Sequence, residues 1–305
     1  MLKTQIDRYL SIRQILGLKL EDTQRDLRDY ARFACDRGDT HITASSATAW
    51  AEKGSTSYVR HVRIHRIAHL ARFLHAEDSA HQVPSTVPFQ HVYVRPLPYI
   101  YPPEEISKII AEAGKIRRRH YSLRREIYAT LVGLIAATGL RVSEALNLRF
   151  EDVQEGGVLN VRKTKFGKSR LIPLHPSATA TLGQYLELRR RITTTDDDHI
   201  FISAHGRRIA SSTVNYTFRV LLNRAEIAPE RIRRPRIHDL RHTFATRALE
   251  KCGSDRRLIA RHFVALSTYL GHIDIKQTYW YLEATPELMA EIAAAGEDFV
   301  LRGVQ

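Results

Sequence analysis

The stretch Ala137-Thr138-Gly139-Leu140-Arg141-Val142-Ser143-Glu144 decides how the larger part of this chain is built. The residues before it, Ser122–Thr138, are rich in Ile, Leu and Ala and read as a helix. Gly139 ends that helix, because glycine enters the left-handed conformation of a helix C-terminus without a Cβ penalty. Arg141 opens a new helical turn, and Glu144 follows three residues on, along the same face. An apolar helix thus stops at a glycine and hands over at once to a charged pair.

Working outward from that junction, Val158–Lys165 and Ser169–Leu174 alternate and are β-rich. Phe166-Gly167-Lys168 separates them, which predicts a β-hairpin with glycine in its turn. Thr179–Ile192, Ser212–Ala225 and Asp239–Lys251 read as helices, with a short strand at His199–Ser203. A last helix over about Pro286–Leu301 follows Thr285-Pro286-Glu287, a cap with proline at the first helical position. Upstream, Glu104–Ile116 is helical in pattern.

Further upstream, Pro84, Pro88, Pro96, Pro98, Pro102 and Pro103 crowd together. Proline cannot continue a helix and holds the chain extended, so 84–103 is read as a linker and the domain boundary is set there. Residues 1–83 read as helices. Ile6, Tyr9, Leu10, Ile12 and Leu16 recur at helical spacing, and a second segment from Thr23 carries Leu27, Tyr30, Ala31, Phe33 and Ala34. Ser45 or Ser46 is expected to cap a short helix reaching Lys53. A fourth helix, about Ser57–His75, carries Arg60, Arg63, Arg66 and Arg72 beside His61, His65 and His69. That basic side reads either as a DNA-contacting face or as a solvated one. The expected class is mainly α: a helical N-terminal unit, then a mixed α+β unit over 104–305 with a small antiparallel sheet.

The chain has 305 residues, enough for one or two domains with a sizeable core, and its 43% hydrophobic content is ordinary for a soluble protein. The formal net charge is +14, which points to a polyanionic partner, nucleic acid before an acidic membrane surface. Residues 1–83 carry a net +3 and residues 104–305 a net +10, so the second unit is expected to hold most phosphate contacts. Two cysteines, Cys35 and Cys252, form no metal or redox motif and suit a reducing compartment. The longest apolar run, near Leu131–Leu140, is too short to span a bilayer, and the polar opening residues hold no signal-peptide core. A cytoplasmic, non-membrane protein is expected.

The last third carries His238-Asp239-Leu240-Arg241-His242, then Leu270-Gly271-His272, then Tyr279-Trp280-Tyr281. These residue types suit phosphodiester chemistry. Arginine forks bind phosphate oxygens bidentately. Histidine moves protons near neutral pH. A tyrosine hydroxyl can attack phosphorus and form a covalent intermediate. Each has a plainer reading beside the chemical one. Arg141 could simply pair with Glu144, the His238 string could be a polar helix start, His272 a turn residue, and any of 13 tyrosines core or surface.

In combination these motifs resemble the tyrosine recombinase, or phage integrase, family. Arg141-Val142-Ser143-Glu144 is similar to its Thr-Gly-x-Arg-x-x-Glu pattern, and His238–His242 to its His-x-Leu-Arg-His box. His272 stands nine residues before Tyr281, the family's spacing from Leu-Gly-His to nucleophile. The resemblance implies that Arg141 and Arg241 bind the scissile phosphate and that Glu144 orients Arg141. It implies that His238 handles protons, His242 supports it, and His272 donates a hydrogen bond to the phosphate. Tyr281 becomes the nucleophile, with Tyr279 as competitor. The family's general acid is a hairpin lysine in a Lys-Gly-x-Lys-x-Arg string. Aligned on Arg170 and Pro173, Lys165 takes that position, Lys168 is second choice, and either could instead bind backbone phosphate.

The family implies a DNA-breaking-rejoining enzyme fold behind a helical, SAM-like core-binding domain. It implies site-specific strand exchange on double-stranded DNA through a 3′-phosphotyrosyl link and a Holliday junction, with no metal or other cofactor. The partners implied are a specific DNA target, a homotetramer on that DNA, and accessory recombinases or host factors. Integration or excision of a mobile element is the expected setting. The last helix, with Ile292, Ala293, Phe299 and Val300 on its apolar side, is expected to act between protomers. DNA-contact candidates are Arg60, Arg63, Arg66, Lys168 and Arg170. The alternatives are a type IB topoisomerase, which shares the chemistry, and a DNA-binding accessory that does not cut. One departure stands out: the segment between Arg241 and His272 is longer than is common in the family, which suggests a longer helix or an extra loop.

Overall fold

A computed structural model of the protein describes residues 2–18, 20–91, 97–117, 123–162, 169–192, 195–227, 234–251, 256–272, 274 and 278, with backbone alone at 256–260. Lys165, Lys168, Tyr279, Tyr281 and the expected last helix lie outside the described residues. The chain divides into two compact units, residues 1–96 and 97–305.

The first unit contains α1 (Leu2–Ile15), α2 (Glu21–Asp36), α3 (Ala44–Glu52) and α4 (Ser57–His75), followed by a 3-10 turn at Val87–Phe89. Ile6, Leu27, Tyr30, Trp50, Ile64, Ile67 and Leu70 fill its core. The apolar stripe of α1 is shorter than its pattern suggests, because Ile12 and Leu16 are exposed. The cap of α3 also differs from expectation. Thr43 accepts from the Ser46 amide at 3.1 Å, while Ser46 is buried and its hydroxyl meets the Tyr30 hydroxyl at 2.9 Å. A cap needs extended backbone ahead of the first turn, and Thr43 has it while Ser45 and Ser46 are already helical.

The second unit begins with Leu97, within the proline-rich segment. Tyr101 is fully buried; its amide donates to Thr243 Oγ1 at 3.0 Å and its hydroxyl to the Arg236 carbonyl at 3.1 Å. Then come α5 (Pro103–Gly114), α6 (Arg124–Thr138) and α7 (Val142–Leu146). The sheet follows as β1 (Val153–Gln154), β2 (Val158–Val161) and β3 (Arg170–Pro173). The remaining helices are α8 (Pro176–Ile192), α9 (Ser211–Arg224), α10 (Asp239–Glu250) and α11 (Arg256–Leu270).

Helix α6 is the axis of this unit. Ile127, Tyr128, Leu131, Val132, Leu134 and Ile135 are buried around its circumference, and it packs on α5, α8 and α10. The sheet is antiparallel in the order β1-β2-β3, with Leu159 opposite Ile172 and Val161 opposite Arg170. The short β1 was not anticipated from the sequence. The strand expected at His199–Ser203 is instead two isolated bridges, Arg149 to His199 and Ile202 to Arg208. Its partners change within four residues, since the chain beyond Arg149 turns into a 3-10 turn at Phe150–Asp152, so no ladder propagates. The long segment before His272 contains a separate helix, α11.

Gly139 is the hinge between α6 and α7. Its φ is +62°, its amide bonds the Ile135 carbonyl at 2.8 Å, and a Cβ there would fall 2.6 Å from the Phe244 ring. Gly139→Ala is therefore expected to cost about 1–3 kcal/mol, the range for forced left-handed backbone. Thermal or chemical denaturation measures it, and an unchanged midpoint would contradict the strain argument.

Candidate active site

The hand-over from α6 to α7 presents Arg141 at the N-terminus of a short helix whose third residue is Glu144. The Glu144 carboxylate accepts from the Arg141 amide at 3.0 Å and from Arg141 Nη1 at 2.7 Å. It is also gripped from β3: Arg170 Nη1 donates to Oε1 at 3.1 Å and Nη2 to Oε2 at 2.8 Å. Arg241 Nη1 lies 3.9 Å from Oε2. Burial by itself would raise the Glu144 pKa, but the hydrogen bonds and charge of Arg170, then those of Arg141, hold it down to about 2. The carboxylate is thus ionised at every working pH, a single anion beneath three guanidinium groups.

Arg241 projects from the first turn of α10 and is 1% exposed. Its Nη1 donates to the Gly139 carbonyl and its Nη2 to the Leu270 carbonyl, both at 2.7 Å. The same Nη2 meets His272 Nε2 at 3.0 Å. A guanidinium can only donate, so His272 Nε2 accepts, and the proton sits on Nδ1, which faces Thr278 Oγ1 at 2.7 Å. Gly139, Arg241 and the Leu270-Gly271-His272 turn are thereby one hydrogen-bonded assembly. His238 stands just before α10, its ring perpendicular to that of His242 at 5.0 Å. His242 is buried, while His238 is exposed. Partial desolvation, then the Arg241 charge, hold the His238 pKa below its ordinary value, which keeps the imidazole neutral at pH 7.

The structure therefore brings Arg141, Glu144, His238, Arg241, His242 and His272 from separate segments to one place. It treats the DNA-contact candidates differently. Arg170 points inward: its side chain is 11% exposed, and Nε donates to the Tyr269 carbonyl at 2.7 Å while both terminal nitrogens hold Glu144. In the first unit, Arg60 Nε donates to the Gly54 carbonyl at 2.9 Å, and Arg63 lies over the Trp50 ring at 4.6 Å. Arg66 pairs with Asp26. These contacts engage all three arginines within their own unit, where helical periodicity alone shows an outward basic face.

The phage integrase family matches residues 101–287 of this chain. The chain is 36% identical over 296 residues, 94% of each sequence, to a protein named integrase/recombinase y4rB of Sinorhizobium fredii. Its fold is similar to that of the Tn1549 transposon integrase in complex with transposon right-end DNA: TM-score 0.66, 17% identity, covering 97% of this chain and 99% of that one. It is also similar to lambda integrase, seen as a tetramer bound to a Holliday junction: TM-score 0.60, 21% identity, covering 90% and 77%. The chain belongs to the phage integrase family of tyrosine recombinases. It is an enzyme that transfers DNA strands.

Proposed function

We propose that this protein cuts and rejoins duplex DNA at a specific site through a 3′-phosphotyrosyl intermediate, in the integration or excision of a mobile element. The observation that carries the reading is the assembly around Glu144, where Arg141, Arg241 and His272 converge beside a neutral His238. Stabilising charge that builds on phosphorus oxygens is the largest demand of this reaction, and prearranged guanidinium donors meet it.

Arg141 is the more open of the two phosphate arginines, with 26% of its side chain exposed and only Nη1 committed to Glu144. Arg241 and His272 satisfy each other through the bond between Nη2 and Nε2. A phosphate oxygen entering there exchanges that bond: Arg241 turns an N–H to the phosphate, and His272 takes a proton from solvent on Nε2 and donates as well. Tyr281 Oη attacks phosphorus and gives its proton to His238, whose pKa the dianion-like transition state raises. The bond to the 5′ oxygen breaks, and Lys165, or Lys168 in its stead, protonates that oxygen. The 5′ hydroxyl of the partner strand then attacks the phosphotyrosyl link, and the tyrosine leaves with its proton returned. The number of diester bonds is conserved, so no nucleotide triphosphate enters the balance.

Residues 1–83 serve as a second DNA-binding unit, and four copies act on paired sites through a Holliday junction, with accessory recombinases or host factors as further partners. Among the described residues no helix is long and apolar enough to cross a membrane. The cytoplasm, where the DNA is, is the compartment this reading assigns.

The test is covalent trapping. The protein is incubated with a library of nicked duplexes, denatured, and the attached DNA is sequenced. One recurrent site joined through its 3′ phosphate is expected. Scattered attachment with relaxation of supercoils would indicate a type IB topoisomerase, and tight site-specific binding without any adduct would indicate an accessory protein.

A further inference from the structure

The Arg170 side chain ties three parts of the site together. It begins β3, directly after the segment carrying Lys165 and Lys168. Its fork closes on both oxygens of Glu144, and its Nε reaches back to the Tyr269 carbonyl in the last turn of α11, just before Leu270-Gly271-His272. Gly271 sits against the guanidinium so closely, at φ +67°, that a Cβ there would lie 2.9 Å from Arg170 Nη1. All three nitrogens of the fork are used, and little of it is accessible. This is not how a phosphate contact on a DNA-facing surface is held.

We infer that Arg170 is a positioning residue for strand cleavage, acting through Glu144 to hold Arg141 at the right depth and through Tyr269 to hold the His272 turn. The inference rests on the recombinase reading of the same site. The physical argument concerns how Glu144 divides its capacity. Its two oxygens receive four donors at 3.1 Å or less, two from Arg170 and two from Arg141. With Arg170 gone, both oxygens are free to draw the Arg141 fork down into a bidentate pair, the geometry arginine and carboxylate prefer. Arg141 would then point at Glu144 when it should face the phosphate. The buried carboxylate would also lose its strongest counter-charge and become easier to protonate. Lysine cannot restore the tie, since it has one nitrogen where the fork uses three.

The experiment compares wild-type protein, Arg170→Gln, Arg170→Lys, Glu144→Gln and the Arg170→Gln/Glu144→Gln double variant. Three quantities are measured on one nicked site: DNA affinity across a salt series, single-turnover adduct formation, and its pH profile. Loss of alignment predicts an adduct rate about 10²-fold lower in both Arg170 variants. Affinity and the slope of log affinity against log salt stay at wild-type values. Arg170→Gln gains an acid limb, its rate falling as pH drops, because Glu144 now titrates in the assayed range. The double variant is no slower than Glu144→Gln alone, since residues acting through one another are not additive. A salt slope shallower by about one unit would make Arg170 a phosphate contact and overturn the inference. Additive losses in the double variant, or full activity in Arg170→Lys, would overturn it too. Should Arg170→Gln fail to fold, Arg170→Lys, which keeps the charge, still decides by rate and salt slope. Absence of adduct from the wild-type protein sinks the recombinase reading itself, an outcome distinct from these.

Discussion

Tyr281→Phe is expected to bind its DNA site with wild-type affinity and to form no covalent adduct. In the proposed mechanism the phenolic oxygen is the attacking atom, and an unperturbed phenol, with a pKa near 10, is a poor nucleophile anywhere but in a strongly cationic site. Such a site is present around His272, nine residues before Tyr281 in sequence. Removing one oxygen leaves Arg141, Arg241 and the histidines in place, so binding and chemistry should separate cleanly. Labelled DNA resolved on a denaturing gel reads the adduct, and a shift assay reads affinity. Persistence of the adduct in Tyr281→Phe, together with its loss in Tyr279→Phe, would transfer the nucleophile to Tyr279.

Arg241→Ala is expected to slow cleavage by about 10²–10³-fold, the usual loss for one transition-state donor. It should also cost stability. Two buried carbonyls, those of Gly139 and Leu270, lose their donor, and each buried group left unsatisfied costs about 1–3 kcal/mol. Rates must therefore be taken at temperatures where a melting curve shows the variant folded. Arg241→Lys should recover part of the stability and little of the rate, because one ammonium cannot serve two carbonyls, a histidine and a phosphate. A folded Arg241→Ala variant that cleaves at the wild-type rate would remove Arg241 from the mechanism.

The two substitutions probe different kinds of knowledge. Tyr281 is proposed as nucleophile from its spacing to a recognisable box. The many partners of Arg241 could not have been found that way: they come from residues 102 and 29 positions distant in the chain. The same contrast runs through the whole site. Arg141 and Glu144 are close in sequence, and their pairing is a local property of a helix start. The bond from Arg170 to Tyr269 spans 99 positions, and no periodicity announces it. Nor does the sequence show that Gly271 lies pressed against the Arg170 guanidinium.

Helix positions in the second unit were legible for a physical reason. Apolar periodicity, a glycine stop and proline starts are all set within one or two turns, so α5, α6, α9 and α10 fall within a few residues of where their patterns put them. Short strands and caps were less legible. Strand β1 has two residues and exists only because β2 lies beside it. Thr43 caps α3, while Ser46 serves the buried Tyr30 hydroxyl, a demand made by another helix.

By itself, then, the sequence determined the order of the helices, the chemical class of the reaction and the identity of the residues that match the family's boxes, because each is encoded in residue type and near spacing. Only the tertiary structure decided which acceptors within the chain each of these arginines meets. Periodicity can place an arginine on a face, but a guanidinium on a long, flexible stem goes to whichever acceptors the folded chain supplies. For Arg60, Arg63 and Arg66 those are the Gly54 carbonyl, the Trp50 ring and Asp26, and for Arg170 they are Glu144 and the Tyr269 carbonyl.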